Sequence, residues 1–367
     1  MRLLVLPGDS IGPEITEATE RVLEEVDSQF DLGLQLERRD IGFASLESTG
    51  TTLSDEVLRL VSEVDGVILG PVSHYDYPPR EQGGINPSAA LRSTFRLYSN
   101  IRPCRSRADL SVLKAPMDIV IVRENTEGFY PDRSMFAGSG EFMPDADTAF
   151  ALRKITARAS QQVARTAFEL ARRRRRKVTA VHKANVLKLS DGLFLREVRS
   201  VAAQFPESEL EELIVDATAA VLIRRPQTFD VLVTTNMFGD ILSDEASELS
   251  GSLGLGGAIN AGDDVCVAQA QHGSAPDIAG KNLANPASLI LSAAMLLDWI
   301  GRRDGSSAAA DAGAAIQDAV DTVLDHPQRR TRDVGGEQNT DEFTAHVVDA
   351  LQPRRRGDRP NEERTAP

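Results

Sequence analysis

Residues 236–245 read Asn-Met-Phe-Gly-Asp-Ile-Leu-Ser-Asp-Glu, just after Phe229–Thr234, a strand-like run rich in Val, Leu and Thr. A strand running into a helix start is the repeating unit of an α/β fold. Asp240 and Asp244 fall four apart there, a spacing that places two side chains on one helical face. Two like charges so placed cost a helix roughly a few tenths of a kcal/mol unless something neutralises them. A hard divalent cation held by carboxylate oxygens is the usual neutraliser. Both residues also suit the positive end of a helix dipole, so the stretch alone leaves the two readings open.

Working outward, the same unit recurs. Residues 2–6 read as a buried strand, followed by Pro7-Gly8-Asp9-Ser10-Ile11-Gly12-Pro13 and a helical period over 13–27. Such a strand–glycine turn–helix can hold a phosphate or nucleotide at the helix N-terminus. It is neither a P-loop nor a GxGxxG dinucleotide fingerprint. A strand near 33–39, a helix over Leu53–Glu63 and a buried strand at Asp65–Leu69 continue the alternation and argue for parallel strands. Residues 72–88 form a long polar loop, Leu91–Leu97 a helix that ends at Asn100-Ile101-Arg102-Pro103, and Asp118–Arg123 a central strand. Residues 131–148 suggest an arm or exposed hairpin, and Thr148–Arg174 reads as one long amphipathic helix. Its basic end, Arg172–Lys177, fits a helix terminus complementing the dipole. Then follow a strand at Val178–Val181, a helix at 190–205, a strand at Glu211–Val215 and a helix at Ala217–Arg224. Beyond the opening stretch come a glycine-rich segment at 251–262, a loop at His272–Asp277 and two helices near 286–301 and 308–325. The charged, proline-rich tail from Pro353 is expected to be disordered.

Composition narrows the function. The 367 residues suggest two domains. A net charge of -14 argues against nucleic acid or an anionic membrane as partner. Only two cysteines, Cys104 and Cys266, fit a reducing cytoplasm and exclude a disulfide framework. The N-terminus lacks signal-peptide architecture, and the apolar stretch Ser288–Ile300 is too short to span a bilayer and reads as a core helix.

Three constellations fall near expected strand ends, where α/β sheets place their sites. Arg92, Arg96, Arg102 and Arg123 are basic, and guanidinium forks clamp carboxylates. Asp216, Asp240 and Asp244 supply oxygen donors without a soft ligand, which favours magnesium or manganese over zinc. Tyr130 and Lys183 make a candidate proton relay, since a lysine beside cations has its pKa pushed down toward neutrality.

The chain resembles the metal-dependent β-decarboxylating dehydrogenases, the isocitrate/isopropylmalate dehydrogenase family. The resemblance rests on residues 8–15 (Gly-Asp-Ser-Ile-Gly-Pro-Glu-Ile), Leu91-Arg92 through Asn100-Ile101-Arg102-Pro103, and residues 123–130 (Arg-Glu-Asn-Thr-Glu-Gly-Phe-Tyr). It continues through His182-Lys183-Ala184-Asn185, Asp216, residues 238–244, residues 272–281 (His-Gly-Ser-Ala-Pro-Asp-Ile-Ala-Gly-Lys) and Asn285-Pro286. It implies a two-domain, non-Rossmann α/β fold: 1–98 with 251–352 on the cofactor side, and 99–250 carrying the dimer interface and the arm, leaving 353–367 as tail. By the same resemblance Arg92, Arg102, Arg123 and Asn185 bind a 2-hydroxy di- or tricarboxylate, a 3-substituted malate. Asp216, Asp240 and Asp244 surround the metal, Lys183 serves deprotonation and Tyr130 protonates the enol. Lys183 and Asp216 reach the site from the neighbouring subunit of a homodimer.

By the same resemblance the loop after His272 holds the adenosine end of the cofactor, and Ile11, His272, Gly273, Ser274, Ala275, Asp277 and Asn285 are the expected cofactor residues. Asp277 can accept hydrogen bonds from ribose hydroxyls and would repel a 2′-phosphate, so NAD is expected over NADP. Asn86 and Ser88 form a polar pair ahead of Arg92 that suits a third carboxylate, and isopropylmalate enzymes present leucines where this chain has Ser88 and Ala89. An isocitrate-like substrate (isocitrate or homoisocitrate) is therefore preferred, with 3-isopropylmalate next and tartrate or D-malate behind it. The loop His74–Gln82 matches no branch. A non-catalytic regulatory subunit would show losses at metal or relay positions, and none is lost here.

Overall fold

The computed structural model describes residues 1–351 except 108, 114, 131–134, 136 and 137. The expected tail at 353–367 and part of the expected arm lie outside the described residues. Strands β1 (Arg2–Leu6), β2 (Gln35–Arg38) and β3 (Gly66–Leu69) alternate with helices α1 (Gly12–Phe30), α2 (Gly42–Thr49) and α3 (Asp55–Val61). Helix α4 (Pro87–Thr94) precedes β4 (Ser99–Arg105) and β5 (Asp118–Glu124), then the hairpin β6 (Glu141–Asp145) and β7 (Thr148–Ala151). Next come α5 (Ala157–Ala171), β8 (Lys177–His182), α6 (Ser190–Ala202), β9 (Glu209–Ile214), α7 (Val215–Arg224), β10 (Val231–Thr234) and α8 (Asn236–Ser250). Strands β11 (Ile259–Ala261) and β12 (Cys266–Gln269) and helices α9 (Ala287–Asp304), α10 (Ser307–Leu324) and α11 (Thr340–Leu351) complete the order.

Ten strands form one mixed sheet in the order β2-β1-β3-β12-β11-β4-β5-β10-β8-β9. The first four and the last three are parallel to their neighbours, while β11 runs antiparallel to both β12 and β4, and β4 antiparallel to β5. The segment 99–250 supplies one end of the sheet, and the two flanking segments supply the other. Side chains of β5 alternate across it. Val120 and Val122 pack in the cluster with Val163 and Phe168 of α5, whereas Ile119 and Ile121 pack with Leu242 and Ala246 of α8. Arg123, two positions after Ile121, therefore points to the α8 face. Helix α9 is a core helix, with Leu289, Ile290, Leu296 and Leu297 buried. Among the described residues no helix is long and apolar enough to cross a membrane.

Several sequence expectations need correction. Thr148–Arg174 is not one helix. Residues 148–151 are strand, with Phe150 stacked on Phe142 at 5.1 Å across the hairpin, and the helix begins only at Ala157 behind its cap Thr156. The basic run after α5 is largely taken up internally: Arg172 by Glu207, Arg174 and Arg175 by Asp118 and Asp230, Lys177 by Glu211. Asn100-Ile101-Arg102-Pro103, read as the end of a unit, lies within a strand inside the sheet, Ser99–Arg105. The short β11 pairs only with residues 99–101, so Pro103 meets no second ladder. The short strands β11 and β12 and the helices α2 and α11 were not expected at all.

Thr156 accepts from the Ala159 N–H at 3.2 Å and donates to Glu127 at 3.0 Å. Thr156→Ala should lose about 1 kcal/mol of stability in urea unfolding, and Thr156→Ser should keep most of it.

Candidate active site

The site is built at the C-terminal end of β5 and the first turns of α8. Arg123 is 2% exposed, and its Nε donates to Asn236 at 2.8 Å while its Nη1 pairs with Asp240. Its guanidinium lies 5.4 Å from the Tyr130 ring centroid, and the Tyr130 hydroxyl donates to the other Asp240 oxygen at 2.7 Å. Gly239 makes this approach possible. A Cβ there would stand 2.6 Å from both Cβ and Cγ of Arg123. Arg102, from β4, donates to Asn100 at 2.6 Å, Ser243 at 2.7 Å and Asp244 at 2.9 Å, and lies 3.5 Å from Asp240. Burial pushes the Asp240 carboxyl up, but Arg123 and then Arg102 outweigh it and hold it below the usual carboxylate range. Asp244 goes the other way: burial raises it, Arg102 opposes, and the Asp240 charge raises it further.

On the neighbouring wall, Gln269 at the end of β12 accepts from Ser88 at 3.0 Å and from Arg92 at 3.3 Å. Asn86 instead caps α4, its side chain accepting from the Ala89 N–H at 3.1 Å. Arg96, grouped with these arginines from sequence, does not join them. It has a left-handed backbone (φ 52) and lines a cavity with Arg158 and Gln162 of α5, on the other face of the sheet.

Lys183 and Asp216 stand apart from this group. Lys183 donates to Asp216 at 2.6 Å, and that contact first of all holds the Asp216 carboxyl low. Tyr130 bonds Asp240, so Tyr130 and Lys183 are not joined within one chain. Asn185 is exposed in the turn after Lys183. Among the described residues no three His, Cys, Asp or Glu side chains converge to hold a metal. Asp240 and Asp244 stand one helical turn apart on α8, two carboxylates without a third beside them among the described residues. Their oxygens are hard donors on one helical face, and Asp244 has one oxygen without a hydrogen bond among the described residues, so the pair fits a magnesium-type cation.

The expected cofactor segments do meet. The Ile11 N–H donates to the Ser274 carbonyl at 3.1 Å, and the Ser274 and Ser73 hydroxyls lie 2.8 Å apart. His272 Nδ1 lies 3.0 Å from the Gly273 carbonyl, while its buried Nε2 has no partner. An orphaned ring nitrogen beside an open loop fits an adenosine-type ligand. Gly273 and Asp277 are exposed, Ala275 sits at φ 41, and Asn285 is engaged with Asp333 at 3.0 Å while capping α9.

The family model for isocitrate/isopropylmalate dehydrogenase matches residues 2–347. An isocitrate/homoisocitrate dehydrogenase of Thermus thermophilus is 40% identical over 352 residues, covering 95% of this chain and 98% of that protein. A 3-isopropylmalate dehydrogenase of Methanothermobacter thermautotrophicus is 39% identical over 353 residues, covering 96% and 99%. The crystal structure of isocitrate dehydrogenase from Methylococcus capsulatus superposes with a TM-score of 0.82 at 36% identity, covering 95% of this chain and 99% of that one.

Three supporting residues escaped the sequence reading. Gln269 ties Ser88 to Arg92. Asp9 accepts from the Phe43 and Ser73 N–H groups and from the Tyr77 hydroxyl, so the loop that matched no branch is tied to the first turn. Glu127 accepts from both the N–H and hydroxyl of Thr156 at 2.7 and 3.0 Å, and its carbonyl accepts from Asn236. Asp9 and Glu127 lay inside stretches already singled out, residues 8–15 and 123–130, whereas Gln269 carried no signal. Burial, and after it the Glu124 charge, pushes the Glu127 carboxyl from 4.5 up to about 7. The folded chain thus holds this proton more tightly than the unfolded one. Stability from this group falls as pH rises from about 4.5 to about 7, and the full cost stands above that. Glu127→Gln should raise Tm at pH 8 and leave it nearly unchanged at pH 4, read by thermal melts at the two pH values.

Proposed function

The chain belongs to the isocitrate/isopropylmalate dehydrogenase family, and on that premise we propose that it is an NAD- and Mg2+/Mn2+-dependent oxidative decarboxylase of an isocitrate-like 3-substituted malate. The observation that carries the reading is the cluster of Arg102, Arg123, Tyr130, Asp240 and Asp244 on one side, with Lys183 and Asp216 intact on the other.

Arg102 and Arg123 are buried and aimed at the same point, so they can grip carboxylates with little loss of side-chain entropy. Arg92, beside Ser88 and Gln269, provides a third fork and a polar wall for the substituent at C3. That wall supports a third carboxylate over an isopropyl group. When bound, the cation supplies Lewis-acid stabilisation of developing negative charge and the nicotinamide accepts the hydride. The Lys183 amine takes the hydroxyl proton as C2 is oxidised. Cleavage of the bond to the departing CO2 leaves an enolate, and Tyr130 returns a proton to C3. Asp216, Asp240 and Asp244 would hold the cation. Asp277, exposed in the loop after His272, supports NAD over NADP.

A homodimer with a shared site is part of the proposal. Val186 and Leu189, just after Lys183, are 65% and 90% exposed, and Ile223 of α7 and Ile241 of α8 are 57% and 59% exposed. The hairpin leaves Phe142 and Phe150 half-exposed as well. Large apolar side chains left open beside both halves of a divided site support a second copy as their cover. The 3-isopropylmalate reading stays second, because a relative of that name is nearly as similar.

Purified protein with NAD and Mn2+ should form NADH fastest with isocitrate or homoisocitrate. No turnover with these, 3-isopropylmalate, tartrate or D-malate would sink the enzyme reading, and preference for 3-isopropylmalate would overturn the substrate. Lys183→Met should lower kcat by about 10²–10⁴-fold with KM less affected. A higher rate with NADP than with NAD would refute the role of Asp277.

A further inference from the structure

On the α5 face of the sheet, opposite the cluster around Asp240, a cavity of about 610 Å3 opens between α5, the end of α9 and the seam of β4 with β11. Arg158, Arg165 and Arg173 line it from α5 and the turn beyond, and Arg302 and Arg303 from α9. The carboxylates that line the cavity with them are Glu169 and Asp263, while Asp298, Asp304 and Asp65 pair with the two α9 arginines from outside its lining. Asp263 is occupied by the Tyr98 hydroxyl at 2.8 Å. Among the described residues Arg158 and Arg173 make no side-chain hydrogen bond or ion pair, Arg165 bonds only Gln204, and Glu169, four residues after Arg165, pairs with no cation. A solvated charged helix face would use that spacing for an ion pair. Arg302 is clamped by Asp298 one turn back, yet burial and then the facing Arg173 charge still pull its pKa down to about 10. Arg303 is held by Asp304 at 2.6 Å and by Asp65 at 3.4 Å, so the cations of this cavity without a carboxylate among the described residues are Arg158, Arg165 and Arg173, on a chain of net charge -14.

The geometry points to a second ligand site here, for a small polyphosphate, either bare or carried on a nucleoside. The volume suits a molecule of that size, and forked guanidinium groups from two elements match a chain of phosphate oxygens. Trp299, whose ring carries the Arg303 guanidinium at 4.9 Å, lines the same cavity and offers an aromatic face to a base. Helix α5 packs on β5, β8 and β10, while α9 packs on β3 and β12. The ligand therefore clamps the two ends of the sheet together from behind.

Trp299 is the chain's one tryptophan, so the site carries its own reporter. The full chain at low salt, titrated with inorganic tripolyphosphate, should show a saturable change in Trp299 fluorescence. The double variant Arg158→Gln, Arg173→Gln should weaken it about 100-fold, the scale of two lost charge-assisted contacts. The Lys pair at the same positions should restore most of it. Tighter binding of ATP than of tripolyphosphate assigns the nucleotide form, and equal or weaker binding the bare form. Three results overturn the proposal: no saturable change in the millimolar range, citrate binding as tightly as tripolyphosphate, or a response that isocitrate abolishes while the Gln variant binds like the wild type.

Discussion

A guanidinium at 2% exposure dictates much of this molecule. Arg123 at the end of β5 could not be buried without a carboxylate, because an unpaired charge there would cost several kcal/mol, roughly. Asp240 supplies the charge, Asn236 takes Nε, and the Tyr130 ring covers the face. Gly239 is the concession that lets α8 come close enough. Through Asn236 and the Glu127 carbonyl the constraint reaches the loop after β5, and through Thr156 it reaches the start of α5. The site is thus tied to both faces of the sheet by a chain of satisfied polar groups, with no slack for the arginine to move alone.

The charges within the cluster have a consequence for ligand entry under the proposed function. In the free chain Asp240 and Asp244 are spent on Arg102 and Arg123. An anionic substrate arriving alone must strip the arginines from two carboxylates, leaving those partly buried and unpaired. A cation arriving alone draws the carboxylates away from two buried guanidinium groups. Cation and substrate together exchange partners with every charge still matched, so each strengthens the other's binding.

Most of the alternating strands and helices of residues 2–97 were legible in the sequence because apolar runs and turn residues agree there, although α2 was not. The nearness of Arg102 and Arg123 to Asp240 and Asp244, and of Ile11 to Ser274, was legible as well. Residues 100–103 were read as the end of a unit, because a strand interrupted by Pro103 is recognisable only once it is known where β11 stops. Residues 148–156 misled too, because the stacking of Phe142 on Phe150 is a cross-strand event that a helical period cannot register. Strand β11 lies inside the glycine-rich stretch, and β12 reads Cys-Val-Ala-Gln without the apolar run that marked β3 and β10, so neither was seen. Gln269 and Glu127 act through partners far along the chain, and only the fold brings those together. Arg96 failed for a local reason: its left-handed backbone sends its side chain away from Arg92 and Arg102.

The order of strands also bears on how the chain is made. Strand β3 (Gly66–Leu69) is wholly buried and pairs on one side with β1, but its other neighbour is β12, some two hundred residues later. During synthesis the first three strands therefore emerge with an apolar edge that stays unpaired while residues 99–250 are produced. Strands β4, β5, β10, β8 and β9 are all available before β12 exists, so that end of the sheet can be finished first. An unpaired apolar edge is the feature by which partly made sheets associate with one another, and pairing with β12 is what covers it here.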